Sequence, residues 1–247
     1  MINPSGAGAR RVLALSLTVA IAAVTAAPPT MFPPVRGTRE MVGAANNQEV
    51  EAGYRILQQG GNAVDAGVAA TFAAAVTEQS RFGLGGQMPL IIKMAGKPPI
   101  VISGVGVAPE KATMDFYRNR PVDPFEDPGS KPLVPAQGIL AAITPGVVDG
   151  LLLALQEYGT MSFAQVIQPA IDNAEGFPIA EEFAGMLTSF KKYLDSWPAS
   201  KAFFYPNGVP PQRGELVRMP TLANTLREMA AAEKKASMSR TRISVSA

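Results

Sequence analysis

The sequence predicts an α/β chain that is mainly helical with a few short strands, and three observations point there. A glycine joint, Gly60-Gly61-Asn62-Ala63-Val64-Asp65-Ala66, stands between two stretches with helical periodicity. Two short apolar runs, 90–94 and 100–103, flank the turn-forming interval Ala95 to Pro99, as in a hairpin. From Thr144 onward, apolar residues recur at helical spacing almost to the end of the chain.

Residues 1–27 carry the marks of an export signal. Arg10-Arg11 form a positive start, Val12 to Ala23 an apolar run, and Val24-Thr25-Ala26 a small-residue cleavage site. The run is shorter than the roughly 20 residues a spanning helix needs, so cleavage is expected and no stable membrane span. Pro28, Pro29, Pro33 and Pro34 make residues 28–40 a proline-rich linker.

Val50, Tyr54 and Leu57 share one face, which predicts an amphipathic helix over about 48–59. Asn46 is its expected N-cap, with Glu49 as the return half of a capping box. Gly60 and Gly61 are both expected to supply the positive-φ backbone that ends a helix cheaply. Asn62 should cap the next helix, with Asp65 in its first turn, where the helix dipole favours a negative charge. From Ala66 to Val76 that helix is apolar almost all round, which predicts burial on every side.

Glu78 to Arg81 is a polar exit into the glycine turn Phe82 to Gly86. The turn lacks the Gly-Lys-Ser/Thr ending of a phosphate loop and precedes a strand, so no nucleotide is expected. Residues 114–135 read as a surface loop, whose Asp123, Glu126 and Asp127 do not match the spacing of a calcium loop. Thr144-Pro145 is the expected start of a helix that turns Val147, Val148, Leu151, Leu152 and Leu155 inward and ends at Tyr158. Ser162 with Gln165 forms another capping box, opening a helix that Pro169 should bend before Gly176.

A third helix is expected over 181–194, with Phe183, Met186, Leu187 and Phe190 inward. Trp197, Phe203, Phe204 and Tyr205 form an aromatic cluster in a loop, a local hydrophobic cluster sooner than a carbohydrate platform. Residues 222–232 give a last amphipathic segment, and 236–247 show no helical stripe.

Composition narrows the chemistry. The 247 residues contain no cysteine and no histidine, which removes disulfides, thiolate nucleophiles, serine–histidine triads and the common zinc sites. The formal charge is +2, and without the terminal arginines 10, 11, 240 and 242 it is −2. No basic face is implied, and nucleic acid is not an expected partner.

Several motifs together resemble the gamma-glutamyltranspeptidase family. They begin with Gly60 to Ala66 and its alanine-rich helix, then Gly83-Leu84-Gly85-Gly86, then Ala108-Pro109 with Lys111-Ala112-Thr113. Thr144-Pro145-Gly146-Val147-Val148-Asp149-Gly150, Tyr158-Gly159, Pro169-Ala170-Ile171, Glu175-Gly176-Phe177-Pro178 and Leu222-Ala223-Asn224-Thr225-Leu226 follow in the family's order. The resemblance covers about residues 41–232, within a portion placed at 41–235.

The resemblance implies an N-terminal-nucleophile hydrolase with an αββα sandwich, of which this chain holds mainly the helical large-subunit portion. In such enzymes a threonine freed by self-cleavage attacks the gamma-glutamyl amide, and its own amine serves as base, without histidine. No threonine here has the matching context, so no catalytic residue is assigned, and no metal or cofactor is expected.

The family's carboxylate-gripping arginine corresponds to Val105, beside Gly106, and a valine cannot pair with a carboxylate. Arg81 is the other candidate to reach the substrate. The implied partners are a missing C-terminal small-subunit half and a gamma-glutamyl or related acyl amide, such as glutathione, in a bacterial periplasm or outside the cell. A truncation or shifted reading frame is expected beyond about 235. Two alternatives stand beside the enzyme: a secreted helical binding module without chemistry, and a non-functional product of a damaged gene.

Overall fold

Asn46 starts the first helix as expected: its side-chain oxygen accepts from the Glu49 amide at 3.1 Å and opens α1, Asn47–Gln58. The return bond differs from a capping box. The Glu49 carboxylate accepts from the Ala45 amide (3.0 Å) and from Asn46 Nδ2 (2.7 Å), one residue further out. This computed structural model describes residues 35–121, 133–135 and 138–238, with side chains to Lys235. The export signal, the start of the linker, the acids Asp123, Glu126 and Asp127, and the tail after Met238 lie outside the described residues. The chain divides into residues 1–41 and 42–247. Of the first, residues 35–41 hold no helix or strand, and all that follows concerns the second.

The buried stripe of α1 is Glu49, Ala52, Gly53 and Ile56; Tyr54 is exposed, and Val50 and Leu57 are half-buried. The expected stripe therefore sits at the edge of the contact. Small residues make its centre because α1 lies so close to the next helix that a Cβ on Gly53 would stand 3.1 Å from the Ala66 carbonyl oxygen. Only Gly60, at φ +91°, supplies the left-handed backbone. Gly61 is needed for space instead: its Cβ would come within 2.7 Å of Ile56 and of the Met161 sulfur.

α2, Ala63–Thr77, opens with a complete capping box between Asn62 and Asp65. Val64, Val68, Phe72 and Val76 are buried in the centre of the core, with Phe72 edge-on to Phe163 at 5.4 Å. Burial on every side is not what the structure shows. Ala63 and Gly67 are exposed, and Ala70, Thr71 and Ala74 half-buried, which leaves one small-residue face open.

The hairpin forms as β1, Met88–Ile92, and β2, Ile100–Gly104, antiparallel with Ile91 opposite Val101. Ile92 and Ile102 turn inward, and the opposite face is bare, with Ile91 71% and Val101 67% exposed. The expected loop at 114–135 contains a short helix, α3, Met114–Asn119, capped by Thr113. Arg120 after it is buried and donates to the carbonyls of Leu133 and Pro121.

α4, Val147–Tyr158, does not start at Thr144. Its N-cap is Gly146, without a side-chain cap, because Thr144 is spent in an antiparallel bridge with Val107 (2.9 and 3.1 Å). Ser162 and Gln165 form the expected box at α5, Phe163–Val166, and Ile167 separates it from α6, Gln168–Glu175, where Pro169 sits in the first turn. Pro169 thus begins a helix where a bend was expected, since proline lacks the amide an interior position needs. A two-stranded ladder of β3, Phe177–Pro178, and β4, Leu216–Val217, follows.

The third helix is broken at Phe190 into α7, Glu181–Ser189, and α8, Lys191–Leu194, and Phe190 is exposed. Thr188 and Ser189 donate back to the Ala184 and Gly185 carbonyls, a competition that weakens helix ends. The aromatic cluster lies on a helix, α9, Pro198–Phe204, not in a loop. Phe204 stacks edge-on with Phe183 and Phe203, and buried Tyr205 donates to the Leu187 carbonyl at 2.6 Å. α10, Pro220–Met238, runs six residues past the expected end, and its Glu233 carboxylate accepts from the Phe163 and Ala164 amides, capping α5 from outside.

Candidate functional site

Four glycines bring the end of β2 against the start of α4. A Cβ at Gly104 would stand 2.5 Å from the Met88 oxygen, and one at Gly150 would stand 3.0 Å from the Gly104 Cα. At Gly146 it would meet the Gly104 and Val105 oxygens at 2.7 and 2.9 Å, and at Gly106 the Ile143 side chain at 2.3 Å. Backbone therefore packs on backbone, and Val105 carries the only side chain in the Gly104–Gly106 segment. It is 43% exposed, an apolar group on the rim of the crossing.

Beside this crossing lies a groove of about 890 Å³. Its wall runs from Gln79 through Arg81 and the Gly83–Gly86 turn to Gln87, faced by Ala141–Ile143, Phe204 and Leu222. The turn is closed by the Gly86 amide on the Gly83 carbonyl at 2.9 Å. Of the three residues singled out by sequence, Arg81 lines the groove, Gly106 abuts its wall at Ile143, and Val105 is not among the lining residues. Arg81 donates through Nε (2.6 Å) and Nη2 to one oxygen of Glu182. Phe204 and Leu222 were not foreseen here, since only the tertiary fold brings them to the turn. Among the described residues no group of three or more acids is placed to hold a metal ion.

At the joint between α1 and α2 the structure is fastened by Asp65. Its buried carboxylate accepts from the Asn62 amide (2.8 Å), the Thr160 amide (2.9 Å), the Thr160 hydroxyl (2.6 Å) and the Met161 amide (3.2 Å). Asn62 adds a bond to the Tyr158 carbonyl at 2.7 Å. Burial alone would raise the pKa of Asp65; the Thr160 hydroxyl and the Asn62, Thr160 and Met161 amides outweigh it and hold the carboxyl below its ordinary value. Glu49 goes the other way, raised first by burial and then by the charge of Glu78, against the amide bonds that lower it.

The sequence model of the gamma-glutamyltranspeptidase family matches residues 50–238. The chain belongs to that family. It is 36% identical over 202 residues to a glutathione hydrolase proenzyme of Escherichia coli K12, covering 81% of this chain and 34% of that protein. It is 33% identical over 199 residues to an Acylase ACY 1 proenzyme of Pseudomonas sp. strain V22, covering 80% and 36%. The crystal structure of Helicobacter pylori gamma-glutamyltranspeptidase superposes with a TM-score of 0.72 at 30% identity, over 82% of this chain and 57% of that one. The fold is thus the helix-rich portion of an α/β N-terminal-nucleophile hydrolase, and the chain spans about a third of the length of these curated relatives.

Proposed function

We propose that this chain is the large-subunit portion of an enzyme that hydrolyses or transfers the acyl group of a gamma-glutamyl amide such as glutathione, or of a related acyl amide. The nucleophile comes from a C-terminal portion, whose terminal threonine uses its own amine as base. The observation that carries this is the unbroken family match over 50–238 on a backbone shared with a solved gamma-glutamyltranspeptidase. No histidine or cysteine is required by such chemistry, in keeping with their absence from the sequence. The chain alone is inactive in this scheme, and its contribution is the wall of the substrate site.

Val105 favours a second reading. Where the family pairs an arginine with the α-carboxylate, this rim offers a half-exposed apolar group, which suits an acyl group without a charge at that point, as in an acylase. Residues 1–27 act as a cleaved export signal and deliver the protein to the periplasm or the medium; sequencing the N-terminus of the exported chain tests this, and retention of Met1 counts against it.

The main test is co-expression with the C-terminal portion of the Escherichia coli relative, followed by assay of amine release from a gamma-glutamyl anilide and from a panel of other acyl anilides. The pair is expected to turn over at least one of them, while this chain alone stays at the blank. A folded pair with no turnover on any substrate sinks the enzymatic reading. Turnover by the single chain removes the need for a partner.

A further inference from the structure

We infer that the groove between the Gly83–Gly86 turn and Ile143 binds the carboxylate of a small peptide-like molecule, with Arg81 as its charge partner. The assignment rests on the substrate class proposed above and extends it with a binding residue on this chain. Among the described residues that line the groove, Arg81 is the only charged one; the others are apolar or neutral, including Gln79, Ser80 and Gln87. A bound anion therefore meets one lining cation, whose guanidinium it shares with the Glu182 carboxylate.

The volume of about 890 Å³ lies within the range of small-molecule sites, roughly 300–1,000 Å³. Gly83 and Gly85 have no atoms within 4 Å of an added Cβ, so the wall there is bare main chain that a ligand can approach closely. Phe204 and Leu222 also line the groove and offer apolar surface for a ligand to cover.

Arg81 is held, but loosely. Its side chain is 68% exposed and that of Glu182 59%, and exposed pairs of this kind contribute about 0–1 kcal/mol. Both contacts go to a single Glu182 oxygen through Nε and Nη2, and Nη1 makes no hydrogen bond to the described residues. A ligand carboxylate in the groove gains two parallel bonds from the guanidinium, so Glu182 acts as a weak competitor parked at the rim.

The test titrates glutathione, and separately glutathione diethyl ester, into the full chain at low salt, with binding followed by ligand-observed NMR. Wild type is expected to bind glutathione and to bind the ester about fivefold more weakly. R81Q should weaken glutathione by a similar factor and leave the ester unchanged. E182Q should tighten glutathione about threefold by releasing Arg81. Both positions are exposed, and far-ultraviolet circular dichroism confirms folding of the variants. Equal glutathione affinity in wild type and R81Q, weaker binding in E182Q, or no binding by wild type each overturns the assignment. The co-expression assay reports on the enzymatic reading independently, since an active pair whose groove ignores R81Q retains the function and loses only this site.

Discussion

Replacing Asp65 with asparagine tests how the two helix joints are locked together. Asp65 accepts from four donors: the amides of Asn62, Thr160 and Met161, and the Thr160 hydroxyl. An asparagine keeps one acceptor oxygen and turns an NH₂ group toward amides that have nothing to accept. Hydrogen bonds to a charged group contribute about 1.5–3 kcal/mol each and neutral ones about 1, and donors left buried without partners cost more. Gly159 adds constraint, because a Cβ there would stand 2.7 Å from Asp65 Oδ1, so the loop is already in contact with the carboxylate. The expected loss is about 3 kcal/mol, in line with breaking a buried charge network.

In urea, with a slope of about 2 kcal/mol/M, that moves the midpoint down by about 1.5 M. Amide exchange at Thr160 and Met161 should accelerate with it. The pH dependence has a definite sign. The folded pKa of Asp65 lies below the unfolded value of about 3.9, so its stabilisation is present above that value and lost as pH falls through the folded pKa. D65N should lack this acid limb. A D65N midpoint within about 0.25 M of wild type, or an unchanged acid limb, refutes the account of the clamp.

Four further outcomes follow from other features of the fold. G106A should destabilise by about 2 kcal/mol, because its Cβ would stand 2.4 Å from the Thr144 backbone oxygen; G67A, in the open face of α2 with nothing within 4 Å, should stabilise by about 0.5–1 kcal/mol, and thermal melts read both. The raised pKa of Glu49 means that its stabilising balance is best below the unfolded value of about 4.3 and is lost as pH rises through the folded one, so E49Q should flatten the stability profile above about pH 4.3. The bare Ile91–Val101 face should make the isolated chain self-associate, and sedimentation of I91K should show a larger monomer fraction; a wild-type chain that sediments as a single monomer counts against this.

Sequence reading succeeded where the code is local. Asn62 with Asp65 and Ser162 with Gln165 are three residues apart, and both boxes form. The Ile91–Val101 hairpin and the helix–joint–helix of α1 and α2 were legible for the same reason. It failed where a distant segment claims a local group. Thr144 looks like a cap until Val107 takes its backbone, and Phe190 looks like a core residue until the hydroxyls before it end the helix. The apolar stripe of α1 misled because its tight contact is made by Ala52 and Gly53, residues that periodicity weights lightly. At the candidate site the sequence offered Arg81, Val105 and Gly106 but not their spatial relation, which depends on Ile143 lying between Gly106 and the groove.

The glycines of the family motifs, and Gly104 and Gly106 outside them, acquire separate physical roles from this comparison. Gly60 is required by backbone conformation, Gly61 by the side chains of Ile56 and Met161, and Gly104, Gly106, Gly146 and Gly150 by main chain pressed on neighbouring atoms. Only the first role is a property of the residue alone; the others are properties of pairs of segments and would vanish if the segments moved apart. Motifs far apart in sequence are therefore in part the two sides of a few contacts, with Asn62 bonded to the Tyr158 carbonyl and Asp65 against Gly159. A substitution on one side should be rescued only by a change on the other, which is why such motifs identify the fold as a set while each alone is a common turn.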